Sequence, residues 1–301
     1  MFDHPSFDAH EGVHMFHDAA TGLRCVIAVH STRLGPAAGG CRMWAYEDAG
    51  AALRDALRLS QGMSFKNAMA GLSLGGGKAV IWGDPRRDKS PALFEAFGRA
   101  VDRLQGRYWT AEDVGVSPAD MAHVARATRF VAGLETGRAA SGDPSPVTAL
   151  GVFRGIAIAC ARVFGTDELA GRHVAMQGVG HVGAHVARML AHAGARLTLT
   201  DVNREALAAV AAQTGAAVVE PDAIYDVAAD VFCPNALGGV INPDTLARLR
   251  VRAVAGAANN QLATPDMGEA LAARGFLYAP DYVINGGGII NVAAEIRGDY
   301  D

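Results

Sequence analysis

The feature that most restricts what this chain can fold into is a glycine turn. Gly178-Val179-Gly180-His181-Val182-Gly183 spells G-x-G-x-x-G. The strand-like HVAMQGV runs into it, it opens the helix-like GHVGAHVARMLAHAGA, and RLTLTDV, ending near Asp201, reads as the next strand. In that context the first glycine permits a tight turn and the second lets the backbone approach a pyrophosphate. The third lets helix and strand pack closely. Gly178, Val179, Gly180, His181, Val182 and Gly183 are therefore candidate contacts to a dinucleotide, with the phosphates at the amide-rich helix start. Asp201 would accept hydrogen bonds from ribose hydroxyls and repel a 2′-phosphate, which favours NAD over NADP. Arg204, three residues on, weakens that preference slightly. A strand-turn-helix that binds no nucleotide is the alternative reading.

Around this unit the second half keeps alternating. TALGVFRGIAIACARVFG and REALAAVAAQTG have helical patterns, while AAVVE, DVFCPN, AVAGAAN and FLYAP read as short strands. Such βαβ alternation predicts a doubly wound parallel sheet. The first half reads differently. GVHMFHDAATGLRCVIAVHST suggests a hairpin about Gly22, LGPAAGGCRM a glycine-rich loop, and EDAGAALRDALRLSQGMSFKNAMA an amphipathic helix. LGGGKAVIWGD reads as a glycine turn into a buried strand, and SPALFEAFGRAVDRLQG and SPADMAHVARAT as helices with Ser-Pro starts. TGRAASGDPSPVTALG is dense in Gly, Ser and Pro and marks a domain boundary. The reading is two α/β domains with a cleft between them, residues 1–142 and 143–284, and a cleft-lining segment 285–301 that starts a return to the first domain. Cleft closure would expel water.

Net charge is −4, from 31 acidic and 27 basic residues, which offers no footprint for nucleic acid or an acidic membrane. No apolar run looks long enough to span a bilayer, and the acid- and histidine-bearing start, MFDHPSFDAHEG, argues against a signal peptide. A cytoplasmic protein is expected. Cys25, Cys41, Cys160 and Cys233 are far apart, so neither a metal site nor a disulfide framework is indicated. Only three basic residues are lysines, Lys66, Lys78 and Lys89. Arg does not give up its proton, whereas a desolvated Lys can, so a retained lysine marks a place where Arg fails. Lys89 sits in the polar turn DPRRDKSP, but Lys66 and Lys78 have apolar or glycine neighbours. Asp113 ends the strand-like RYWTAEDVG at a loop. One cation to hold a carboxylate, one tunable lysine and one carboxylate would suit amino-acid oxidation. A buried structural Lys–Asp pair fits the spacing equally well.

LGPAAGGCRMW, GMSFKNAMAGLSLGGGKAVI, GRYWTAEDVG, QGVGHVG, GAANNQL and INGGGIINVAAE occur in this order from Leu34 to Glu295. With them the chain resembles the glutamate/leucine/phenylalanine/valine dehydrogenase family, most of all its leucine-acting members. The resemblance implies NAD-dependent oxidative deamination of an apolar L-amino acid, with branched-chain substrates such as leucine favoured, giving a 2-oxo acid and ammonia. It also implies a homo-oligomer with the first domain as the contact. Lys66 would bind the α-carboxylate, Lys78 would be the base that activates water, and Asp113 would move protons at the amino nitrogen. Gly39, Gly40 and Met63 would line the substrate pocket. Thr148, Asn259 and Asn260 would hold the nicotinamide end and reach the substrate. Asn235 stands near the cofactor where leucine dehydrogenases often have cysteine, and Gly286 replaces a more usual Ala.

Ala38, Ala111, Ile289 and Val292 would form an apolar wall. Glutamate dehydrogenases carry a lysine at the position of Ala38, and an unpaired carboxylate there would be costly, so glutamate should be a poor substrate. Leucine dehydrogenases usually have a larger aliphatic residue at that position. Phenylalanine dehydrogenases can share the AAGG form, so phenylalanine or tryptophan stays open as substrate. A non-catalytic NAD-binding member and a hydroxy-acid oxidoreductase with a Lys–Asp pair stay open as well. Relatives usually continue for several dozen residues past INVAAE as helices packed on the first domain.

Overall fold

The computed structural model describes residues 2–134 and 143–298. The expected boundary residues 136–142 lie outside the described residues. The chain forms two compact units, one of residues 1–144 and 289–301, the other of residues 145–288.

The first unit opens with the hairpin β1 (Gly12–Asp18) and β2 (Leu23–Ser31). Then come β3 (Ala37–Ala38), β4 (Cys41–Trp44), α1 (Ala49–Met69), β5 (Gly75–Trp82), α2 (Pro91–Asp102), β6 (Tyr108–Trp109) and α3 (Pro118–Val124). The strand order is β1-β2-β5-β3-β6, with β4 also pairing β5. β2 runs antiparallel to both β1 and β5, while β3 and β4 run parallel to β5. The sheet is covered on both faces. Val26, Ala28 and Val80 pack on Ala52, Ala56 and Leu57 of α1. Ile27, Ala79 and Ile81 pack with Phe94 and Phe97 of α2 and Met121 of α3. Burying each such phenylalanine stabilises the fold by roughly 1.5–3 kcal/mol. The helix starts follow the Ser-Pro signals: Ser90 caps α2, and Ser117 with Asp120 forms a capping box on α3.

One glycine run is strand rather than the expected turn: Gly75–Gly77 belong to β5 itself. In LGPAAGGCRM the glycines Gly35, Gly39 and Gly40 lie outside strands, as expected of a loop, while Ala37–Ala38 and the residues from Cys41 on pair beside β5. These glycines serve close approach. A Cβ on Gly76 would lie 2.2 Å from the Ser64 nitrogen of α1, and one on Gly39 would lie 2.0 Å from the Gly77 oxygen. Either would push neighbouring backbone away.

The second unit runs α4 (Ser145–Phe164), β7 (His173–Gln177), α5 (His181–His192), β8 (Arg196–Thr200), α6 (Arg204–Thr214), β9 (Ala217–Val218) and β10 (Val231–Pro234). It continues through α7 (Pro243–Arg248), β11 (Ala253–Val254), α8 (Met267–Ala273), β12 (Leu277–Tyr278) and α9 (Asp281–Ile284). The strand order is β12-β11-β10-β7-β8-β9, with every pairing parallel. The order reverses between β7 and β10, which is where open α/β sheets form their ligand crevice. The last helix, α10 (Gly287–Arg297), begins at the end of this unit, and from Ile289 it belongs to the first.

The expectation that no apolar run could span a bilayer does not hold for α4. At 20 residues and high mean hydropathy, it is long and apolar enough to cross a membrane. Its Ala149, Val152, Ile156, Ala159 and Cys160 nevertheless pack into the core of the second unit, and Arg154 and Arg162 interrupt its other side. A helix covering a parallel sheet needs that apolarity for its own docking.

Candidate active site

β5 places Gly76, Lys78 and Val80 on the α1 face of the sheet, because strand side chains alternate. Lys78 is buried, and its Nζ lies 2.8 Å from Asp113 Oδ2. Asp113 reaches that point because the backbone beyond β6 crosses Gly40 closely. A Cβ on Gly40 would lie 2.4 Å from the Glu112 oxygen and 2.9 Å from Asp113 Cβ. Tyr108, fully buried, donates from its hydroxyl to the Gly39 oxygen at 2.6 Å and steadies the same crossing. Burial pushes the Asp113 carboxyl up, but the Lys78 ammonium and the Arg42 guanidinium overcome it. With the Lys78 hydrogen bond and the Val114 amide, they hold the carboxyl well below the usual range. Burial also pushes the neighbouring Cys41 thiol well up, so it is not a nucleophile near neutral pH.

Of the other residues expected on the substrate side, all but Asn260 lie in the same unit. Lys66 is half-buried in the last turn of α1, three residues after Met63 and so on the same side of the helix. Met63 packs in one apolar cluster with Ala38, Ala111, Ile289 and Val292, joined by Leu72, Leu74, Ala132 and Ala293. Ala111 lies two residues before Asp113, which ties the cluster to the ion pair through the backbone. α10 is latched in place by Glu295, whose carboxylate accepts from the Gly133 amide at 2.8 Å and the Leu134 amide at 3.3 Å. Glu295 and Arg42 lie inside INVAAE and GGCRMW, yet neither stands out in the sequence as a site residue.

In the second unit Gly178 has a φ of 97°, which suits glycine, and a Cβ on Gly183 would lie 2.2 Å from the Gly178 oxygen. Space opens at Gly180, where a Cβ would meet nothing within 4 Å. Gly180 caps α5 without a side-chain hydrogen bond, so no side chain competes there for the first-turn amides. His181 and Val182 form the exposed and half-buried start of α5. Asp201 Oδ2 accepts from the Val179 amide at 2.7 Å, and Oδ1 accepts from the Asn203 amide at 2.8 Å. Arg204 is engaged by Glu220. Asn235 is tied inward: Oδ1 accepts from the Ala257 amide at 3.0 Å, and Nδ2 donates to the Cys233 oxygen at 3.0 Å.

Thr148 is half-buried in the first turn of α4. Asn259 accepts from Asn285 Nδ2 at 2.8 Å, and Asn260 holds a φ of 52°, in the left-handed region asparagine tolerates. The buried Asn285 Oδ1 has no hydrogen-bond partner. Sequence reasoning did not single Asn285 out. An open glycine turn, an uncapped helix start, a ribose-type acid and an unmet buried acceptor fit a dinucleotide. Among the described residues no group of three or more His, Cys, Asp or Glu side chains is disposed to hold a metal.

A parallel sheet with a glycine turn on one unit and a buried Lys–Asp pair on the other define an α/β oxidoreductase of the dehydrogenase class. Residues 9–130 match the family model "Glu/Leu/Phe/Val dehydrogenase, dimerisation domain", and residues 198–300 match "Glutamate/Leucine/Phenylalanine/Valine dehydrogenase". Leucine dehydrogenase of Geobacillus stearothermophilus is 51% identical over 289 residues, covering 96% of this chain and 79% of that protein. Phenylalanine dehydrogenase of Bacillus thermotolerans is 48% identical over 294 residues, covering 96% of this chain and 77% of that protein. The crystal structure of L-tryptophan dehydrogenase from Nostoc punctiforme superposes with a TM-score of 0.75 at 42% identity, covering 97% of this chain and 83% of that one. The chain belongs to the glutamate/leucine/phenylalanine/valine dehydrogenase family. Its family and its Rossmann-type unit imply a nicotinamide cofactor.

Proposed function

We propose that this protein is an NAD-dependent dehydrogenase that converts an apolar, branched-chain L-amino acid such as leucine to its 2-oxo acid and ammonia. The observation that carries the reading is the buried Lys78 Nζ at 2.8 Å from Asp113, in the same unit as the apolar cluster around Ala38. Lys66 holds the substrate α-carboxylate, and Gly39, Gly40 and Met63 face the bound amino acid. Asp113, ionised between transfers, orients the amino nitrogen and transiently takes up and returns its proton. Lys78, once neutral, takes a proton from the water that attacks the imine carbon and returns it as ammonia leaves. Bound NAD supplies the acceptor for the Cα hydride.

The turn Gly178–Gly183 and the start of α5 hold the pyrophosphate, and Asp201 takes the ribose. Arg204 is held by Glu220, which supports NAD over NADP. Thr148, Asn235 and Asn259 serve the nicotinamide end, and Asn260 reaches the substrate. Ala38, Ala111, Ile289 and Val292 exclude a side-chain carboxylate, so glutamate is a poor substrate. The small Ala38, Ala111 and Ala132 in that cluster support a second reading in which the preferred side chain is aromatic. The dimerisation-domain match supports a homo-oligomer assembled through the first unit. Four buried free cysteines suit a reducing cytoplasm.

The test is oxidation of NADH with the 2-oxo acid of leucine, with and without ammonium. Strict ammonium dependence is expected. Oxidation without ammonium would point to hydroxy-acid chemistry and sink the reading.

A further inference from the structure

The Lys–Asp pair stands in a longer chain of alternating charge. Arg42 on β4 is in register with Val80 on β5, two residues from Lys78 and on the same face. Arg42 Nε donates to Asp113 Oδ2 at 3.1 Å, the same oxygen that Lys78 Nζ reaches at 2.8 Å. The other end of the guanidinium donates to Asp55 Oδ2 of α1 at 3.0 Å. Tyr46 donates to that Asp55 oxygen at 2.5 Å, and its own backbone oxygen accepts from Trp82 Nε1 at 2.9 Å. The sequence of groups is thus Lys78, Asp113, Arg42, Asp55 and Tyr46, drawn from β5, the loop after β6, β4, α1 and the turn after β4.

We propose that Arg42 is a positioning residue for the reaction, holding Asp113 ionised and in place while Lys78 loses and regains its proton. The proposal rests on the roles proposed for Lys78 and Asp113. A base must spend part of each cycle neutral. If Lys78 were the only cation at Asp113, its neutral form would leave a largely buried carboxylate uncompensated, and the carboxyl would rest protonated, unable to accept the amino proton. An arginine does not lose its proton, so it supplies a charge that survives both states of Lys78. Burial works against that charge, but Asp113 and Asp55 hold the guanidinium firmly protonated. Asp55, itself fixed by Tyr46, keeps Arg42 from following any movement of Asp113. A planar fork serves two carboxylates at once in a way an ammonium does not.

The experiment is steady-state kinetics across pH on the full-length enzyme, with folded fraction measured by thermal unfolding. Arg42→Gln should lower kcat about 10- to 100-fold, the range for losing a hydrogen bond to a charged group. KM for the amino acid should stay within about threefold, because Lys66 is untouched. The acid-side fall in kcat/KM should begin at higher pH, because without the guanidinium both members of the Lys78–Asp113 pair hold a proton more readily. Arg42→Lys should restore the pH profile but only part of kcat. Asp55→Asn, which leaves Arg42 and Asp113 in place, should lower kcat in the same direction by a smaller factor and covers the case in which Arg42→Gln folds poorly. A loss of activity that only tracks the folded fraction, or a fall in kcat with the acid-side limb unmoved, would overturn the proposal. Lys78→Ala and Asp113→Asn run in parallel separate the two levels, since full activity in those variants would indict the site assignment itself.

Discussion

Replacing Ala38 with leucine should turn the enzyme away from aromatic substrates. Ala38 is 1% exposed and sits among Met63, Ala111, Ile289 (8%) and Val292 (6%). Leucine adds three carbons to that wall. At about 0.8 kcal/mol per buried methylene, the added volume corresponds to at most ~2.4 kcal/mol of apolar contact that a bulky substrate side chain would otherwise make. With about 1.4 kcal/mol per tenfold, the ceiling is a roughly 50-fold change, and partial relaxation of the wall reduces it to about fivefold. The predicted outcome is a roughly 5- to 50-fold fall in the ratio of kcat/KM for phenylalanine to that for leucine, read from initial rates of NADH formation. Because the cluster is already filled, overpacking should also cost roughly 1–3 kcal/mol of stability, visible as a lower Tm. A folded Ala38→Leu enzyme whose ratio moves by less than about twofold would remove Ala38 from the substrate pocket and with it the specificity argument.

Lys78→Ala should lower kcat by on the order of 10²–10⁴ at neutral pH, and Lys78→Arg should fail nearly as badly because it keeps the charge but is no base; NADH formation under saturating leucine reads both. Asp201→Ala should raise KM for NAD and narrow the preference for NAD over NADP, measured by running both cofactors side by side, and it should loosen the glycine turn as well because the Val179 amide loses its acceptor. Asp113 contributes to the pH dependence of stability with a definite sign. Its carboxyl is depressed in the folded protein, so its stabilisation is complete above the ordinary carboxylate value near 3.9 and is lost as pH falls from there toward the folded value. The stability difference between wild type and Asp113→Asn, from urea unfolding, should be flat from about pH 5 to 8 and shrink below about pH 4.

The parallel sheet was legible because several signals agreed: strand and helix periodicity, a glycine turn at their junction and an acid after the next strand. Lys78 stood out because lysine is rare here and arginine is not. That same abundance of arginine hid Arg42, whose ion pairs depend on strand register with Val80 and on Asp55 in a helix that follows it in sequence. Glycine was the most ambiguous letter. In the 178–183 turn it supplies a positive φ at Gly178, open space at Gly180 and close helix–turn packing at Gly183, whereas in Gly39, Gly40 and Gly76 it supplies only the absence of a side chain. Local sequence does not distinguish these uses; the 2.0–2.4 Å approaches of distant backbone do. The sequence of α4 is ambiguous for a related reason. A helix docked on a parallel sheet and a helix that crosses a bilayer draw on the same residues, and partners such as Val174 and Ile284 decide between them. Glu295 was similarly silent, because its partners Gly133 and Leu134 lie 162 and 161 residues earlier in the chain.

The most direct test of the central claim is NADH formation from NAD with a panel of L-amino acids, Leu, Val, Ile, Phe, Trp and Glu. The account predicts turnover on the apolar members, led by the branched chains, with glutamate inert. Binding of NADH without turnover on any member, or a preference for glutamate, would contradict it.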